Sequence, residues 1–148
     1  MYNHIKTSQE KEELLGFIDA LNESFFRKDG FKMTLKSIPE KYSEIILKRT
    51  KNKISQEALL IIKKELEALE EMNVTLSFVP DDQFIEKMCQ FIRKTLAKDV
   101  ILNIQTDKGI IGGIIFNYKG FYSDYSLKKD LDDSFKRQAK SIKKLLNL

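Results

Sequence analysis

At 148 residues, with 42% hydrophobic and 32% charged side chains, the chain can build one medium domain or two small ones, which excludes an intrinsically disordered protein. A net charge of +4 admits an anionic partner such as nucleic acid or lipid, but 26 basic and 22 acidic residues interleave as on solvated helix faces. The longest apolar run, Gly109 to Phe116, is strand-sized and too short to span a bilayer, and Met1 to Lys11 lacks the apolar core of a signal peptide.

The first half reads as helix throughout. Leu14, Leu15, Ile18, Leu21, Phe25 and Phe26 recur at helical spacing, which predicts an amphipathic helix from Ser8 to Lys28, with Ser8 as N-cap and Asp29-Gly30 as stop signal. Ser37 and Pro39 are expected to open a second helix with Tyr42, Ile45, Ile46 and Arg49 on one face. A third is expected from Ser55 to Met72, with Leu59, Ile62, Leu66 and Leu69 as its stripe. These helices predict a three-helix bundle over residues 1–72, none of them stable alone in water.

The pattern then changes. Val74 to Phe78 alternates strictly and predicts a half-buried strand. Pro80, Asp81 and Asp82 open a helix striped by Phe84, Met88, Phe91, Ile92, Thr95 and Leu96. Val100 to Gln105 is a second strand. Ile110 to Tyr118 and Phe121 to Asp124 form a hairpin around Lys119-Gly120, where glycine supplies positive φ without steric cost. Ser126 is expected to cap a last helix striped by Leu127, Leu131, Phe135, Gln138, Ile142 and Leu145. Residues 73–148 thus form a second unit, and the whole chain is α+β, with helices packed on a small sheet.

Catalytic chemistry is hard to assemble. The single histidine, His4, lies near the N-terminus, and the single cysteine, Cys89, sits between apolar residues with no base in sequence. One His and one Cys are too few for an ordinary zinc site, and a lone Cys cannot form an internal disulfide, as suits a reducing cytosol. Asp81-Asp82 and Asp132-Asp133 are sequence neighbours that diverge on a helix and cannot share a proton. Gly109, Gly112 and Gly113 lack the spacing of a phosphate-binding loop and precede a strand, which points to close backbone approach instead. No enzyme, cofactor or metal is expected.

Residues 74–131 resemble a known family. The elements are Asp107, Gly109, Gly112 and Gly113, then Gly120, then Asp124-Tyr125-Ser126, then Leu131. Their order is similar to the C-terminal signature of the delta subunit of F-type ATP synthase, whose mitochondrial counterpart is the oligomycin-sensitivity-conferring protein. Two departures stand out. The position of Tyr125 is usually small in that family, and residues 1–72 are shorter than its N-terminal bundle, so its alpha-subunit contacts do not transfer residue by residue.

The resemblance implies a stator that clamps the catalytic head to the b-subunit stalk, and through it a peripheral association with the cytoplasmic face of the membrane. On the last predicted helix Lys136, Lys140 and Lys144 offer basic density that could meet an acidic helix of the stalk, the alternative being a solvated helix face, and the alpha subunit is a further implied partner. No nucleic acid or small-molecule substrate is implied. Each signature residue also has a structural reading: Asp124 and Ser126 as helix caps, Gly112 and Gly113 as relief of crowding, Leu131 as a buried anchor. An E-type stalk subunit would need one long N-terminal helix, which Asp29-Gly30 and Ser37-Ile38-Pro39 interrupt. A KH-type RNA-binding module would place its glycines between helices, whereas here they precede Ile114-Ile115-Phe116.

Overall fold

The computed structural model describes residues 4–27, 30–127 and 133. Its elements in order are α1 (Ser8–Ser24), α2 (Gly30–Ser37), α3 (Glu40–Arg49), α4 (Gln56–Glu67), β1 (Glu70–Leu76), α5 (Asp82–Leu96), β2 (Val100–Thr106), β3 (Ile114–Tyr118) and β4 (Phe121–Asp124). The class is α+β, as the change of hydrophobic period predicts. The chain divides into two compact units, Met1–Glu70 and Glu71–Leu148.

The first unit holds four helices, not three. Thr7, not Ser8, caps α1: the Glu10 N–H donates to Thr7 Oγ1 at 3.2 Å, while the Glu10 carboxylate accepts from the Thr7 N–H at 3.3 Å. This reciprocal box requires an acceptor at the third helical position. Thr7 has one in Glu10, whereas Ser8 would have Lys11. Helix α1 stops at Ser24, short of the predicted Lys28, and Lys28 and Asp29 lie outside the described residues. The unpredicted α2 follows, joined to the end of α1 by the rings of Phe25 and Phe31 with centroids 4.8 Å apart. It buries no residue, and it is short, eight residues opening on the Gly30 that the sequence reading takes as a stop signal. Ser37 closes α2 by donating to Thr34 O at 2.7 Å, and α3 starts after Pro39 without a side-chain cap.

Leu14, Ile18, Leu21, Ile46, Leu59 and Leu66 are fully buried and form the bundle core. Phe26 departs from its expected place on the α1 stripe: it lies past the helix end and is 84% exposed. Ion pairs join the elements across the surface: Lys41 to Glu10, Arg49 to Glu65, and Lys63 to Asp19 at 2.7 Å. Such exposed pairs are worth at most about 1 kcal/mol each. Tyr42 on α3 donates to Glu13 on α1 at 2.6 Å. Ser55, the expected first residue of the third predicted helix, is the cap of α4, accepting from the Ala58 N–H at 3.2 Å.

Helix α4 ends at Glu67 and β1 begins at Glu70, so Met72 and Asn73 are strand, not the end of a helix. Burial explains the earlier start. Met72, Val74 and Leu76 alternate into one core with Met88, Cys89 and Ile92 of α5 and with Val100 and Leu102 of β2. The sheet order is β2-β1-β3-β4. Strand β3 is antiparallel to both β1 and β4. The Asn73 and Asn103 side chains are bonded at 2.9 Å and the Asp107 N–H donates to Leu76 O at 2.9 Å. Strands β1 and β2 therefore advance together, the parallel pair that a β-α-β crossover through α5 requires.

Asp81 caps α5 by accepting from the Phe84 N–H at 2.7 Å, which leaves Pro80 outside the helix. The helix terminates at Ala97 in the left-handed region, with φ of 51°. Lys119 and Gly120 both have positive φ, at 49° and 84°, as a two-residue hairpin turn demands. Strand β3 begins at Ile114, four residues after its predicted start at Ile110, because residues 107–113 make a series of turns. Of the last predicted helix only Leu127 and Asp133 are described; Leu131, Phe135, Gln138, Ile142 and Leu145 lie outside the described residues.

Candidate functional site

Four of the signature residues, Gly112, Gly113, Asp124 and Ser126, meet at a backbone crossing in the second unit. Asp107 ends the β2 side of the sheet, and its carboxylate accepts from the Gly109 N–H at 2.8 Å. This side-chain turn reverses the chain, and Ile110 N–H then donates to Asp107 O at 3.3 Å. Gly112 and Gly113 follow with φ of +61° and +104°. The segment after β4 runs beside them: Tyr125 N–H donates to Ile114 O at 2.9 Å, and Leu127 N–H donates to Gly112 O at 3.0 Å. The Asp124 carboxylate accepts from the Ser126 N–H at 2.8 Å, and Ser126 is buried.

Gly113 is where the two segments touch. A Cβ built there would lie 2.3 Å from Tyr125 O and 2.7 Å from Ser126 Cα, both backbone atoms with no freedom to swing aside. At Gly112 a Cβ would meet Leu127 Cδ1 at 3.0 Å, the end of a flexible side chain. Gly120 has open space around it, and its positive φ alone calls for glycine. The structure thus brings Gly112, Gly113, Asp124 and Ser126 together, places Asp107 and Gly109 in the turn that leads to them, and leaves Gly120 at the hairpin tip. Leu131, Lys136, Lys140 and Lys144 lie outside the described residues.

Beside the crossing lies a groove of about 380 Å³ between α5 and the β3–β4 hairpin. Phe91, Ile92 and Leu96 form its helix wall; Phe116, Ser123 and Tyr125 form its sheet wall. The Phe116 and Tyr125 rings meet edge to face, with centroids 6.2 Å apart. Sequence periodicity assigns Phe91 to the buried stripe of α5, but it is 68% exposed, and Tyr125 is 70% exposed. The groove was not legible in sequence because its two walls come from segments that pairing of β1 with β3 brings together.

Among the described residues no three His, Cys, Asp or Glu side chains are placed to hold a metal ion. Cys89 is buried in the core, its Sγ directed at Val100 O at 3.8 Å. One perturbed pair is Tyr42 and Glu13. Burial, then the bond to Glu13, pushes the phenol well above its ordinary pKa; the Tyr42 hydroxyl, then Gln9, holds the carboxyl below its own. That pair joins α1 to α3 within the helical unit, away from the signature residues in sequence.

A family model described as ATP synthase delta (OSCP) subunit matches residues 50–138, more than half of the chain. The match starts well before Val74, so it includes α4 as well as the sheet. ATP synthase subunit delta of Wigglesworthia glossinidia brevipalpis is 30% identical over 70 residues, which cover 47% of this chain and 40% of that protein. The match thus spans well under half the length of that relative. With a family model matching more than half of its residues, the chain belongs to the ATP synthase delta (OSCP) subunit family.

Proposed function

We propose that this protein is a non-catalytic stator subunit of a rotary F-type ATP synthase, linking the catalytic head to the b-subunit stalk. The observation that carries the reading is the family match over residues 50–138. The geometry supports it in kind. A clamp needs extended apolar and charged faces on a rigid frame, and the signature residues serve the frame. Under this reading the four-helix unit is the candidate contact for the alpha subunits. Lys136, Lys140 and Lys144 offer basic density to an acidic stretch of the stalk, an attraction that steers association and weakens with salt. Among the described residues no helix is long and apolar enough to cross a membrane. Under the stator reading, membrane association runs through the complex, at the cytoplasmic face.

The test is recovery of the tagged chain from detergent-solubilised membranes. Co-purification of b and alpha subunits in fixed proportion is the expected result, with no nucleotide hydrolysis by the isolated chain. Recovery of the chain alone, or with RNA bound in a steeply salt-dependent manner, would overturn the reading.

A further inference from the structure

We infer that β4, the hairpin strand at one edge of the sheet, pairs with β4 of a second copy of this chain, joining two sheets edge to edge about a two-fold axis at Tyr122. The inference concerns the free chain and goes beyond the stator reading without resting on it.

The first observation is an outward-facing edge. The order β2-β1-β3-β4 puts β2 and β4 at the ends of the sheet. From Phe121 onward the chain follows β3: Phe121 is in register with Tyr118 and Tyr122 with Asn117, and the Tyr125 and Leu127 N–H groups donate to Ile114 O at 2.9 Å and to Gly112 O at 3.0 Å. Backbone groups alternate along an antiparallel strand, so Phe121, Ser123, Tyr125 and Leu127 turn theirs towards β3, and Tyr122 turns its N–H and C=O away from it. Outward groups on an edge are a template for another strand. The opposite edge differs. Val100 O of β2 accepts from Arg93 Nε at 3.0 Å, and β2 carries none of the exposed large hydrophobic residues.

The second observation is apolar surface. Phe121 is 79% exposed and Tyr122 62%. Edge strands are commonly blunted by lysine, proline or a bulge. Strand β4 reads Phe-Tyr-Ser-Asp, and the carboxylate of its one charged residue turns back on its own chain, accepting from the Ser126 N–H at 2.8 Å.

The third is self-complementarity, which a two-fold contact requires. With the axis at Tyr122, each Tyr122 N–H donates to the Tyr122 C=O of the other copy, across a Cα separation of about 5.5 Å. The two Tyr122 side chains stand opposite each other on one face. On the other face the two Phe121 side chains are diagonal neighbours, a separation that aromatic rings span. A strand of a different protein would have to match this register and these rings independently; a second copy matches them by symmetry.

The area sets the strength. Each ring carries about 150–250 Å². At the exposures above, the four rings of a pair bring about 400–700 Å² to the contact, below the roughly 1,200 Å² of a stable specific interface. The dimer is therefore weak and depends on concentration.

The experiment uses the full chain in sedimentation velocity over a range of concentrations. A monomer–dimer equilibrium is expected. The double variant Phe121→Lys with Tyr122→Lys should weaken it by about tenfold or more, as loss of central aromatic anchors does. Both positions are exposed, and circular dichroism and a thermal melt check that the fold is kept. Register is read by cross-linking. The chain's one cysteine, Cys89, is buried, so it does not compete. Tyr122→Cys should form a disulfide-linked dimer under mild oxidant, because the Cα separation suits a disulfide. Gln105→Cys, exposed on β2, should not.

A chain that stays monomeric at its highest soluble concentration overturns the inference. So does a dimer that the double lysine variant leaves intact, or equal cross-linking through Tyr122→Cys and Gln105→Cys. Capture of the soluble b-subunit domain that the double lysine variant abolishes, by a chain that is itself monomeric, overturns it too, since another subunit would then occupy the edge; the stator reading would stand.

Discussion

Replacing Gly113 by alanine tests the crossing on which the sheet unit depends. The added methyl would stand 2.3 Å from Tyr125 O, far inside contact distance, on a residue whose φ is +104°. The conformational strain alone is about 1–3 kcal/mol for a side chain held in a sparsely populated region. Relief of the clash requires the two segments to separate, which would break the Tyr125–Ile114 and Leu127–Gly112 hydrogen bonds, worth about 1 kcal/mol each. Together the loss is about 3–5 kcal/mol, a large share of the roughly 5–15 kcal/mol that holds a domain folded.

Urea denaturation followed by circular dichroism and tyrosine fluorescence would measure it, since the chain has no tryptophan. Gly120→Ala is the control: its φ is +84° with nothing within 4 Å, so only conformational strain of about 1–2 kcal/mol applies. Gly16→Ala, in α1 with open space around it, should stabilise by about 0.5–1 kcal/mol. Valine at 113 should be worse than alanine. If Gly113→Ala costs no more than Gly120→Ala, the crossing is not a steric constraint and the reasoning is refuted.

Tyr42→Phe should cost about 1 kcal/mol through loss of the bond to Glu13, seen as a lower urea midpoint. It should also change the acid limb. Glu13 has a folded pKa below its unfolded one, so its stabilisation is present above the ordinary carboxylate range and is lost as pH falls through the lowered value; in Tyr42→Phe that acid-dependent loss should shrink. At the alkaline end the sign reverses, because the raised phenol pKa stabilises the fold below the ordinary tyrosine range and the effect fades as pH rises beyond it. A pH–stability curve that Tyr42→Phe leaves unchanged would contradict this. Asp81→Ala should remove the α5 cap and about 1 kcal/mol of stability, with Asp81→Ser retaining most of it in a chemical melt. Charge reversal at Lys136, Lys140 and Lys144 should weaken capture of the b-subunit domain at low salt and leave the melt unaltered; equal capture at every salt concentration would remove those lysines from the interface.

What could be read from the chain itself was whatever neighbouring residues decide among themselves. The helix starts at Ser55 and at Asp81-Asp82, the alternation of Val74 to Leu76, the helical stripe over Met88 and Ile92, and the glycine turn at Lys119-Gly120 depend on hydrogen bonds and φ angles spanning a few residues. Family resemblance also lay in the order of such local devices. Helix α2 was missed because it is short and opens on Gly30, a residue that reads locally as a helix stop, and the start of β1 was misplaced because Met72 fits a helical stripe as well as it fits the sheet core it joins. The tertiary structure alone decided that Phe91 stands at a rim while Ile92 beside it is buried, and that Gly113 lies against Tyr125 and Ser126. Those outcomes depend on strands distant in the chain pairing in one register, and no local pattern of residues encodes which surfaces such pairing brings face to face.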